Sequence, residues 1–98
     1  VSTIVAIPYQ IRRITIDQVL FTEVKPPIDC KKIVLSRGAE DDGFTIRSNP
    51  SDPNQEKEVA AGWEKEIQGQ GCFYPANAIV CYVRAKTIVG VLVVECFR

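Results

Sequence analysis

The sequence predicts an α+β domain: an antiparallel β-sheet, one helix (about residues 53–68) packed on it, and two disulfides as staples. Three observations lead there. The C-terminal part holds two dense apolar runs, Ile79 to Val83 and Ile88 to Val94, rich in the β-branched residues that suit a pleated sheet. Asp52-Pro53-Asn54-Gln55 reads as a helix start, and Val59, Ala60, Trp63 and Ile67 follow at helical spacing. Four cysteines, Cys30, Cys72, Cys81 and Cys96, stand in a chain without histidine. If residues 58–68 are extended instead, the alternative is an all-β sandwich or barrel.

Taken in order, Thr3 to Ile7 forms a short strand closed by Pro8. Ile11 to Ile16 forms the next, with Ile14 and Ile16 on one face and Thr15 on the other. Asp17-Gln18 has little strand propensity and reads as a turn before Val19 to Val24. Pro26-Pro27 ends that segment, because proline has no N–H for a central ladder. Cys30 introduces a strand over Lys31 to Ser36, and Arg37 to Gly43 is a charged, glycine-bounded turn. Phe44-Thr45-Ile46 alternates, with Phe44 and Ile46 inward. Ser48 to Asn54 has the Ser, Asn, Asp and Pro content of a loop.

The helix rests on its capping signature. Asp52 can accept from free backbone N–H groups, Pro53 fits the first helical position, and Gln55 completes a capping box. Gly69 to Gly71 stops the run. Gly62 costs such a helix about 1 kcal/mol relative to alanine. The rival is a strand, since Val59, Ala61, Trp63 and Ile67 also alternate with Glu58, Glu64 and Glu66. The cap tips the reading to a helix, with Trp63 anchoring it to the core. The two C-terminal runs are expected to pair as a hairpin about Ala85-Lys86 and to supply the central strands.

At 98 residues, the chain is expected to be one domain, residues 1–98. Twelve basic and twelve acidic side chains cancel, so no global field draws in nucleic acid or anionic lipid. No apolar run reaches the roughly 18 residues of a membrane span. The cysteines form no close pairs, and without histidine the mixed Cys/His zinc sites are excluded. Two disulfides are therefore expected, and the hairpin register favours Cys72–Cys96 and Cys30–Cys81. Paired cysteines and a start at Val1 lead to the expectation of a secreted, extracellular protein that has lost a signal peptide.

The missing histidine removes the usual general base and the familiar catalytic triads. Glu40-Asp41-Asp42 could hold a cation or supply a catalytic carboxylate, but reads more simply as a solvated turn. Phe73, Tyr74 and Asn77, beside an expected disulfide, resemble the rigid anchors of an interface. The expected function is non-catalytic and cofactor-free, without a bound metal: a binding protein such as a host-directed effector, toxin-like or defence factor. Its partner would be a protein or an extracellular glycan, met through Phe73, Tyr74, Asn77, Glu40, Asp41 and Asp42. Three alternatives stand beside it. One is a protease inhibitor presenting Pro26 to Cys30, and another a carbohydrate-binding module using Trp63 or Tyr74. The third is a small carboxylate-dependent hydrolase, with two facing carboxylates about 5–9 Å apart.

Overall fold

Alternation decides most of the architecture. In the computed structural model, residues 8–26, 29–37, 43–60, 62–69 and 78–98 are described. They form eight strands: β1 (Gln10–Ile16), β2 (Thr22–Val24), β3 (Lys32–Ser36), β4 (Phe44–Arg47), β5 (Glu56–Val59), β6 (Glu64–Gln68), β7 (Cys81–Ala85) and β8 (Gly90–Phe97). Two antiparallel sheets result, ordered β1-β8-β3-β6 and β2-β7-β4-β5. Ile16, Ile33, Leu35, Leu92 and Val94 of one sheet share a core with Val24, Phe44, Ile46, Val59, Val83 and Ala85 of the other. Each large aliphatic or aromatic side chain so buried contributes about 1.5–3 kcal/mol. The molecule is a β-sandwich.

The expected helix at 53–68 is not there. Its cap is: Asp52 accepts from the Asn54 N–H at 3.0 Å, with Pro53 in the first turn. The turn closes as a single 3₁₀ element, Pro53–Gln55, and Glu56 is already extended. Two cross-strand attractions outweigh the cap. Arg47 opposes Glu56 and binds its carboxylate at 2.7 Å, while Phe44 opposes Val59 in the core. Gly62 then takes φ 80, outside any right-handed helix, and the chain crosses to the other sheet. The residues meant for one helical face are scattered: Val59 is buried in one sheet, Ile67 half-buried in the other, and Trp63 exposed. The α+β expectation gives way to the all-β alternative.

The disulfide staples are a second correction. Cys30, Cys81 and Cys96 are buried free thiols, and Cys72 lies outside the described residues. The pairing argument fails with its premise, the C-terminal hairpin. β7 and β8 are indeed central strands, but of different sheets, and they do not pair with each other. The only strands adjacent in sequence that pair are β4 and β5. In place of bridges, the body is held by its core and by both ladders.

Within each sheet the odd strands run alike, and the Ala85 N–H bond to the Asp17 carbonyl at 2.8 Å joins the ends of β1 and β7, so β1, β3, β5 and β7 all run toward one end. Residues 17–21, Arg37, Gly43, Ala60, Gly62, Trp63 and 86–89 therefore lie at that end. Arg37 ties two of them down, donating to the carbonyls of Gly43 at 2.8 Å and Ile88 at 2.9 Å.

Candidate functional site

The end where the odd strands finish is apolar and exposed. Asp17 breaks the ladder: its carboxylate accepts from the N–H groups of Val19 at 2.8 Å and Leu20 at 2.7 Å, folding 17–20 into a tight turn. Those two bonds hold its pKa below the usual carboxylate range. The turn thrusts Val19 (71% exposed) and Leu20 (69%) outward. Trp63 (70% exposed) stands on the 60–63 loop, whose turn Gly62 permits and the Trp63 N–H to Ala60 carbonyl bond closes. Ile88 and Val89 are exposed on the 86–89 loop, and Val91 follows at the start of β8. Elsewhere among the described residues, the exposed large apolar side chains are Ile11 and Ile79. Isolated apolar surface residues need no explanation, but Val19, Leu20, Ile88 and Val89 on two adjacent loops do, with Trp63 at the opposite edge of the same end.

The opposite end is different in kind. A cleft of about 260 Å³ opens there between the sheets, lined by Ile46, Arg47, Ser48, Gln55, Lys57, Lys65, Ile67, Val80 and Cys81. Its floor is apolar and its rim carries cations and amides, with no carboxylate among the lining residues. The Arg47 guanidinium is engaged on the outer face of the sheet, by Glu56, the Pro50 carbonyl and the Phe21 ring 4.6 Å away. Arg84 lies against the other side of the same local charge group, 3.8 Å from Glu56 and 4.6 Å from the Phe21 ring.

The thiols also sit toward this end. Burial pushes the Cys81 thiol up to about 12 and the Cys96 thiol up to about 11. Cys30 is raised as well, chiefly by burial, and shares a side-chain hydrogen bond with Cys96. Such thiols stay protonated at neutral pH and are poor nucleophiles. Among the described residues, no group of three or more His, Cys, Asp or Glu is placed to hold a metal ion.

Of the residues singled out from the sequence, Phe73, Tyr74, Asn77, Glu40, Asp41, Asp42 and Cys72 lie outside the described residues. Of the expected inhibitor loop, Pro26 and Cys30 are buried, Asp29 is exposed, and residues 27 and 28 lie outside the described residues. Glu95 projects to the outer face of β8, while Leu92, Val94 and Cys96 point inward. The apolar loop residues were missed because Val19-Leu20 and Ile88-Val89 read as the beginnings of strands. The signal available was Asp17, two residues before Val19, since aspartate at a strand end starts turns.

These features define a class, an antiparallel β-sandwich with an apolar loop end and a cation-rimmed cleft. Comparison with family models, curated proteins and solved structures gives no match. No helix among the described residues is long and apolar enough to cross a membrane.

Proposed function

We propose that this protein is a non-catalytic interaction domain that binds a partner protein through its apolar loop end. The observation that carries the reading is the placement of Val19, Leu20, Ile88 and Val89 together on two adjacent loops, away from the core, with Trp63 exposed at the far edge of the same end. Exposed aliphatic side chains and a tryptophan on one end supply the apolar area from which interfaces draw affinity, where a few fully desolvated residues carry most of it. Arg37 fixes two of the loops to each other, so little ordering entropy opposes binding. The extracellular expectation rested on paired cysteines and loses that support, so the proposal stands apart from compartment.

The test is affinity capture from host or extracellular extract by the wild-type chain and by Leu20→Ser/Trp63→Ser. Trp63 is the single tryptophan, so its emission reports the site directly. A protein retained by the wild type should shift that emission to the blue and be lost from the double variant. A protein retained equally by both, or displaced by free glycans, would overturn the reading.

A further inference from the structure

The two strands flanking the cleft carry the same tripeptide, Glu56-Lys57-Glu58 on β5 and Glu64-Lys65-Glu66 on β6. Residues directly opposed in an antiparallel pair share a face. Lys57 opposes Ile46, Lys65 opposes Leu35, and Ile67 opposes Ile33; all three partners are buried in the core. Both lysines therefore project into the space between the sheets, and the glutamates project outward. On that outer surface Glu56 meets Arg47, Glu58 meets Lys86, and Glu66 meets Lys32. Neither Lys57 nor Lys65 has a carboxylate partner among the described residues.

From this geometry we infer that the cleft is a binding site for a small amphipathic carboxylate, the anion of a fatty acid of octanoate's length. Three features converge on it. The rim presents donors: two ammonium groups, and the Gln55 amide, whose oxygen is already taken by the Ser48 hydroxyl. The floor of Ile46, Ile67, Val80 and Cys81 offers an apolar wall and no charge. The volume of about 260 Å³ lies just under the roughly 300–1,000 Å³ of ordinary ligand pockets, which suits a short chain. An anion held at this rim gains charge-assisted hydrogen bonds from the lysines. Inward lysines on edge strands also discourage edge-to-edge pairing of sheets. That role requires no ligand and no apolar floor, and an experiment separates the two.

The experiment is a two-dimensional NMR titration of the whole chain with octanoate, and with octanol as its neutral counterpart. Octanoate should saturate, shifting the amides of Ile46, Ile67 and Val80, and should weaken as salt is raised toward about 0.5 M. Octanol should fail to saturate. Lys57→Gln/Lys65→Gln should lower the octanoate affinity at least about tenfold, and Leu20→Ser/Trp63→Ser should leave it unchanged. That last control separates this site from the proposed protein interface. Absence of saturable shifts, equal binding of octanol, shifts confined to Val19, Leu20 and Trp63, or undiminished affinity in the lysine variant would overturn the inference. If the lysine pair variant does not fold, Lys57→Gln alone and the salt and octanol arms on wild type decide it.

Discussion

The two ends of this sandwich are made from the same strands and answer to opposite physical rules. Where the odd strands finish, aliphatic side chains and a tryptophan are held out in water on short loops. Where they begin, lysines are turned in toward a cleft and thiols are buried among apolar neighbours. Each end inverts the usual partition of polar outside and apolar inside. The difference teaches that the fold and its two surfaces are separable. The core between them holds the strands, and each end spends stability on exposed or ill-placed groups. Substitutions at an end should change binding, and substitutions between the ends should change folding.

The largest expected effect tests that division at its centre. Phe44 is fully buried, opposed to Ala85 on one side and Val59 on the other. Phe44→Ala should cost about 3–5 kcal/mol, a large part of a small domain's stability. Urea denaturation followed by far-ultraviolet dichroism would measure it. A loss below about 1 kcal/mol would show that the sandwich core is not what joins the two ends.

Next comes the loop end. Leu20→Ser/Trp63→Ser should leave stability within about 0.5 kcal/mol per site, since neither side chain is packed. Partner affinity should fall by about 2 kcal/mol or more, the loss typical of truncating interface anchors. Calorimetry on the captured partner, beside thermal melts of the free variants, separates the two quantities. A variant that melts early would place these side chains in the fold after all.

How much of this was legible in the sequence follows from the range of each signal. Ile14, Thr15 and Ile16, and again Phe44, Thr45 and Ile46, declared their faces, because alternation with period two needs only near neighbours. The turn at Asp17 was legible for the same reason. The cap at Asp52 was also real, yet a local signal cannot report that Arg47 and Phe44 will capture the next four residues into a ladder. Val19-Leu20 and Ile88-Val89 look like strand ends because apolar content does not say where pairing stops. The repeated Glu-Lys-Glu was in view throughout, but only register reveals that its lysines face inward. The four cysteines were read by number and compartment, whereas burial as thiols depends on tertiary packing.

A smaller effect distinguishes the cleft end by pH. Burial lifts the Cys81 thiol from the ordinary 9.0 to about 12, so the folded state disfavours the thiolate. The associated stability is fully present below pH 9.0 and drains as pH rises through about 12. Melting temperature should therefore fall across that window, and should fall less in Cys81→Ala. Cys96, raised to about 11, sustains part of the decline in the variant. Identical alkaline profiles for both proteins would mean that the cleft floor is wet enough to ionise freely.

The smallest effect sits at the other end and has the opposite sign. The Asp17 carboxylate accepts from Leu20 and Val19, and these bonds lower its folded pKa below 3.8. Its contribution is present above that value and is lost as pH falls below it. Asp17→Asn keeps an acceptor oxygen but no charge, so it should melt slightly earlier than wild type near pH 7, and the difference should vanish as the pH falls through the lowered folded pKa and the aspartate protonates. Asp17→Ala removes the acceptor too, and should loosen the turn that presents Val19 and Leu20. Partner affinity should then weaken although the altered side chain is not itself apolar. If Asp17→Ala binds as tightly as wild type, the turn does not hold those residues in their binding position, and the preorganisation credited to this end belongs to Arg37 alone.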